Sequence, residues 1–198
     1  MGKVEKVHSN LRLRTINDFL SVAVIVLALY VLAWPHLPNL AWRAKHLSQP
    51  TATELNQQAK AETPKISDQN TLSIPRLSLQ QPVNEGANIS ALRNGTWRRP
   101  NTSTPEKGGN TVIVGHRLTY DGPAVFYHLD KVQVGDPIVL YWQSKKYEYS
   151  VSEIKVVPPS EIAVESGTPD ARLTLYTCTP LWSAKDRLVI VAKPTEGE

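Results

Sequence analysis

The chain has 198 residues, 41% of them hydrophobic, enough for one ordinary domain plus an appendage and too few for two. Half of its formal net charge of +4 sits in the first 18 residues, where Lys3, Lys6, Arg12 and Arg14 outweigh Glu5 and Asp18. The remainder is too weak and too scattered for a nucleic-acid groove, and no basic stripe interleaved with aromatic residues exists, so nucleic acid is not expected as a partner.

In chain order, residues 1–18 form a basic segment. Phe19 to Trp34 follows as 16 residues without a charge, and the uncharged stretch continues past Pro35 to Trp42. A helix crossing the hydrocarbon core needs about 20 mostly apolar residues. Tyr30, Trp34 and Trp42 suit an interface, where amphipathic rings settle. Basic residues before the run keep the N-terminus in the cytoplasm and send the rest outside. Residues 19–42 are therefore expected to be a single-pass signal anchor. A cleaved signal peptide is the competing reading, but no small-x-small cleavage site precedes Pro35.

Residues 43–69 are polar, with few side chains to bury, and read as an extracellular linker carrying a short helix between Thr53 and Ala61. A folded domain is expected over 70–198. Short strand-like runs punctuate it: Thr71 to Leu79, Asn110 to Gly115, Pro137 to Trp142, Tyr147 to Val157, Arg172 to Cys178 and Arg187 to Lys193. That spacing predicts an all-β barrel or sandwich. Tyr147, Tyr149 and Val151 alternate with polar neighbours, then the phase slips to Ile154 and Val156, which predicts a bulge at a bend. Asn88 to Asn94 reads as one or two helical turns ending at Gly95.

Cys178 is the only cysteine, so it has no intrachain disulfide partner. It ends an apolar, β-branched run and enters a proline-bearing turn, where a thiol is reachable while its backbone is held. A buried small hydrophobe is the bland alternative. A cysteine nucleophile needs a proton-managing partner and a donor for the oxyanion. His116 sits where the run from Asn110 emerges into a loop. Arg187 opens the run that a hairpin would return beside the thiol. Arg117, next to His116, should point the other way. His128 reads as an ordinary loop histidine. None of His8, His36, His46, His116 and His128 sits at metal-binding spacing with another, so neither a metal nor any other cofactor is expected.

Three ordered motifs resemble those of the sortases, membrane-anchored cysteine transpeptidases. Thr174-Leu175-Tyr176-Thr177-Cys178 matches the Thr-Leu-x-Thr-Cys signature. The segment Asn110 to Arg117 matches the one carrying the family's histidine, and Arg187-Leu188-Val189-Ile190-Val191 matches the strand carrying its arginine. The resemblance covers roughly residues 70–194. It implies an eight-stranded sortase-type β-barrel with short helices, preceded by the transmembrane helix and linker.

It also implies catalysis by Cys178, His116 and Arg187 on a Leu-Pro-x-Thr-Gly-like sorting signal of surface proteins. Cleavage would fall between Thr and Gly, and the acyl group would pass to an amine of a peptidoglycan precursor or a pilin lysine. Thr177 is given an assisting role in substrate binding through its backbone N–H or hydroxyl. The stretch His116 to Pro123, and Ser183-Ala184 before Arg187, look most like class E. There a tyrosine at the position of Tyr120 is associated with Leu-Ala-x-Thr-Gly signals; a loop tyrosine packed on Pro123 is the alternative. A pilin-polymerising sortase and a non-catalytic, membrane-tethered wall-binding β-domain are the competing functions. A cysteine L,D-transpeptidase would want histidine and cysteine close together in sequence, which they are not.

Overall fold

A computed structural model describes residues 2–45, 50–61 and 69–195, so parts of the expected linker fall outside the described residues. The chain divides into two compact units, residues 1–49 and 50–198. The first holds α1 (Gly2–Ala33), a 3-10 turn at Trp34–His36 and α2 (Leu37–Lys45). From Phe19 to Trp34 its large apolar side chains are exposed. Among the described residues, no single helix is long and apolar enough to cross a membrane. Asn17–Ala33 and Leu37–Ala44, bent by 64° at Pro35, meet that requirement together, by length and composition.

The second unit begins with α3 (Ala52–Ala61). Thr51 and Glu54 form a reciprocal N-terminal cap: the Thr51 N–H donates to Glu54 Oε2 at 2.7 Å, and the Glu54 N–H donates to Thr51 Oγ1 at 3.3 Å. The Thr51 N–H and, at 3.0 Å, the Thr51 hydroxyl both donate to the Glu54 carboxylate and lower its pKa. Leu55 and Ala59, one turn apart, are buried, and Lys146 Nζ donates to the Ala59 carbonyl at 2.8 Å. The helix thus belongs to the barrel unit rather than to a free linker.

Eight strands close a barrel in the order β1-β2-β3-β4-β9-β10-β8-β7, with β7 returning to pair β1. They are β1 (Thr71–Ile74), β2 (Leu79–Asn84), β3 (Thr96–Arg98), β4 (Asn110–Val114), β7 (Pro137–Trp142), β8 (Lys145–Val157), β9 (Arg172–Thr179) and β10 (Asp186–Pro194). β5 (Leu118–Thr119) and β6 (Gly122–Pro123) make a separate two-stranded hairpin. The all-β, eight-stranded expectation holds. The single run expected over Thr71 to Leu79 does not: Pro75 opens a 3-10 turn, Ser78 takes a left-handed φ of 49°, and Leu79 starts a new strand. The phase slip in β8 is a bulge. Val191 faces Glu153 while Ala192 faces Val151, leaving Ser152 as the extra residue. Ile89–Asn94 is a 3-10 helix ending at Gly95, as read.

Strand alternation fills the barrel with Leu72, Ile113, Ile138, Leu140, Leu173, Leu175 and Ile190; Phe126 and Leu129, from the segment between β6 and β7, complete the same core. Burial of each such side chain is worth about 1.5–3 kcal/mol. A second cluster, Leu92, Trp97, Val112 and Val114 with Tyr176 against it, lies on the opposite face of β4 and β9. Arg76 and Asp136 form a buried ion pair, with Nη2–Oδ1 at 2.6 Å, and the Gln133 N–H donates to Asp136 at 2.8 Å.

Candidate active site

β9 runs antiparallel to β10 with Cys178 directly opposite Arg187 and Thr177 opposite Leu188. Opposed residues share a face and neighbours along a strand alternate. Leu175 and Thr177 therefore face the barrel interior, while Tyr176, Cys178 and Arg187 share the outer face. β4 runs parallel to β9, and its last pair is Val114 with Tyr176. Two residues further on in each chain stand His116 and Cys178. The three residues named from sequence thus come to one end of three adjacent strands. Cys178, His116 and Arg187 are all half-buried, and Cys178 is a free thiol.

His116 is held by its backbone, its carbonyl accepting from the Phe126 N–H at 2.9 Å. It borders a cleft of about 860 Å³ that also takes in Leu79, Gln81, Leu92, Arg93 and Tyr127. Cys178 and Arg187 do not line this cleft. The Arg187 guanidinium turns back on its own loop, Nη1 donating to Ala184 O and Asp186 O at 3.0 Å each. Both acceptors are backbone carbonyls, so the positive charge is not neutralised by a carboxylate there.

Beside the thiol the outer face is polar and tied together. Tyr176 Oη donates to Glu165 Oε1 at 2.5 Å, and Arg99 Nε donates to the same oxygen at 2.8 Å. Arg99 also lies over the Trp97 ring, 4.6 Å from its centroid. Burial, and then the Glu165 carboxylate, push the Tyr176 phenol pKa far up; the Arg99 and Arg187 charges pull it the other way.

Two expected substrate contacts are placed differently. Thr177 is buried, and its hydroxyl donates inward to Gly115 O at 2.8 Å. A hydroxyl committed to an interior carbonyl cannot reach a ligand on the outer face, so the hydroxyl half of its expected role does not fit. Tyr120 is fully exposed at the tip of the β5–β6 hairpin. It does not line the cleft, although Thr119 and Asp121 on either side do. Nor is it packed on Pro123. His128 lines the same cleft, edge-on to Tyr127 at 4.9 Å. Among the described residues no three His, Cys, Asp or Glu side chains come together to hold a metal ion.

Sequence reading turned Arg117 away from His116 and gave it no role. Its side chain is buried and has three partners: Nη1 donates to Thr179 Oγ1 at 2.8 Å, Nη2 meets Asp130 Oδ1 at 2.9 Å, and Nε donates to Tyr127 O at 3.3 Å. The only local signal was its position, one residue past the histidine.

A closed eight-stranded barrel carrying cysteine, arginine and histidine on the ends of three neighbouring strands defines a thiol-centred barrel protein. The sortase domain model matches residues 72–195, and the chain belongs to the sortase family. It is 33% identical over 141 residues to Sortase SrtE1 of Streptomyces coelicolor, a match covering 63% of this chain and 40% of that protein. It is 31% identical over 128 residues to Sortase A of Listeria monocytogenes, covering 65% of this chain and 57% of that one. The chain thus spans about half the length of these relatives. Among solved structures it resembles the pilus-related Sortase C of Group B Streptococcus with a TM-score of 0.59 at 27% identity, covering 66% of this chain and 69% of that one. A Clostridium perfringens Sortase D5 transpeptidase matches with a TM-score of 0.58 at 28% identity, covering 74% and 89%.

Proposed function

We propose that the chain is a sortase transpeptidase that joins a surface protein bearing a C-terminal sorting signal to an amine of the cell wall. The observation that carries this reading is the cross-strand pairing of Cys178 with Arg187, with His116 on the adjoining strand end. The Cys178 thiolate attacks the threonine carbonyl carbon of the signal, and the carbonyl π electrons move to oxygen. The Arg187 guanidinium, fixed in charge and planar, donates to that oxyanion. Collapse breaks the Thr–Gly bond, and protonated His116 gives its proton to the departing glycine amine. The neutral imidazole then takes a proton from the incoming amine as it attacks the thioester. The new amide forms and the thiolate leaves.

Residues 19–42 are the membrane anchor in this reading, with residues 1–18 cytoplasmic and the barrel outside. The exposed apolar surface from Phe19 to Trp34 supports it. Identity to Sortase SrtE1 supports a class E assignment, and the class E resemblance around His116 makes Tyr120 the selecting residue for Leu-Ala-x-Thr-Gly signals. Full exposure of that phenol requires that bound peptide, rather than the empty cleft, be its partner. A pilin-lysine acceptor is the second reading, favoured by the structural likeness to a pilus-related sortase C.

The decisive experiment uses full-chain protein in detergent with Leu-Pro-x-Thr-Gly and Leu-Ala-x-Thr-Gly peptides and an amine. A peptide thioester on Cys178, found by mass spectrometry and absent in Cys178→Ala, is expected. Arg187→Lys should lose about 100-fold in kcat, because an ammonium cannot reproduce the fork. Peptide that is retained equally by wild type and Cys178→Ala, without cleavage, would instead identify a wall-binding domain. Unchanged peptide preference in Tyr120→Phe and Tyr120→Ala would remove the selecting role.

A further inference from the structure

The regular ladder between β4 and β9 ends at Val114 and Tyr176, two residues short of the histidine and the cysteine. Past that point the Gly115 N–H reaches Tyr176 O at only 3.4 Å. Two side-chain bonds take over. Thr177, just before the cysteine, donates to the carbonyl of Gly115, just before the histidine, at 2.8 Å. Arg117, just after the histidine, donates to the hydroxyl of Thr179, just after the cysteine, at 2.8 Å. The residues flanking one reactive side chain are thus bonded to the residues flanking the other.

We propose that Arg117 and Thr179 are positioning residues for the reaction, closing the outer half of a double clasp that holds the imidazole and the thiol in register. The proposal rests on the catalytic roles of Cys178 and His116. Neither clasp residue need touch substrate. Arg117 suits the task because all three of its guanidinium nitrogens are engaged, on Thr179, Asp130 and Tyr127. A buried guanidinium is expensive to desolvate and is retained where its geometry is fully specified. Its bond to Asp130 ties the clasp to the 3-10 turn Leu129–Lys131, whose Leu129 is in the barrel core. The strand ends are thereby tied to the barrel core. Small misplacements of reacting groups cost rate far more than binding.

Thr179→Val removes the acceptor while keeping a β-branched shape, and Thr179→Ser keeps the hydroxyl. Arg117→Lys keeps the charge beside Asp130 but loses the fork. In full-chain protein, Thr179→Val is expected to lower kcat about 30-fold with KM changed by less than about threefold. Arg117→Lys should behave alike, and Thr179→Ser should stay within about threefold of wild type. Iodoacetamide reports independently, because Cys178 is the only cysteine. Its alkylation rate against pH should change shape in Thr179→Val and Arg117→Lys and be restored in Thr179→Ser, with thermal midpoints within a few degrees. Wild-type kcat and alkylation profile in Thr179→Val would overturn the clasp. So would losses that merely track the thermal midpoint in all three variants. If wild type turns over no peptide, the transpeptidase reading fails, while the alkylation profile still decides whether the clasp holds the two side chains.

Discussion

At Gly115 the constraint on the site is steric. A Cβ there would lie 2.6 Å from Phe126 Cδ2 and 2.7 Å from Val125 Cγ1. Phe126 is fully buried, so its ring has little room to retreat, and its N–H bonds the His116 carbonyl, so a backbone shift there pulls on the His116 backbone. Gly115→Ala is expected to cost about 1–3 kcal/mol in denaturant unfolding and to lower peptide turnover in the fraction that stays folded. An alanine variant with wild-type stability and turnover would show that this contact yields freely. At this scale much was legible in the chain. Cys178, His116 and Arg187 each stand where an apolar run meets a turn, and such points can be found by pattern. The partners of Arg117 could not be found that way. Tyr127 and Asp130 come from the segment between β6 and β7 and Thr179 from the end of β9, and only the closed barrel brings them to one guanidinium.

Among the elements, the segment between β8 and β9 has no strand or long helix of its own, yet it is tied at two points. Buried Asn110, at the start of β4, donates through Nδ2 to Val164 O and Ser166 O at 3.0 Å each and accepts from Thr174 Oγ1 at 2.7 Å. Between those carbonyls Glu165 reaches Arg99 and Tyr176. Asn110→Asp would set a carboxylate against two carbonyl oxygens, exchanging two donors for repulsion. The expected loss is about 2–4 kcal/mol at neutral pH, measured by denaturant unfolding, with new protease cleavage between residues 158 and 171. An Asp variant as stable and as resistant as wild type would mean that the segment is held by something else. The sequence showed the strands on either side because their apolar runs are long. β2 and β3 escaped notice for the opposite reason. Leu79–Asn84 carries two glutamines and a proline, and Thr96–Arg98 is only three residues long, too short for alternation to register. The bulge at Ser152 was readable because a phase slip is a local property of one strand.

Closure of the barrel is a property of the whole molecule, since β1 must find β7 across more than sixty residues. Its interior therefore unfolds as a unit, and a charge forced into it is felt by every strand. Tyr149, on β8, has its side chain in that interior, and burial above all, with Tyr147 and Glu106 adding to it, pushes its phenol up to about 12. Unfolded, the same phenol titrates near ~10. The folded state thus holds the proton more tightly, so the contribution is complete below pH ~10 and is lost as pH rises toward ~12. Thermal midpoints measured from pH 8 to 12 should be level for this group at the lower end and then fall. In Tyr149→Phe the fall should be shallower by on the order of 2 kcal/mol at the top of the range, because no phenolate need form in the barrel. Lysine and arginine titration is common to both proteins and cancels in the difference. Curves that run parallel across the whole range would show that alkaline unfolding starts elsewhere; the outer-face Tyr176 phenol, raised in the same direction, would be the next group to replace.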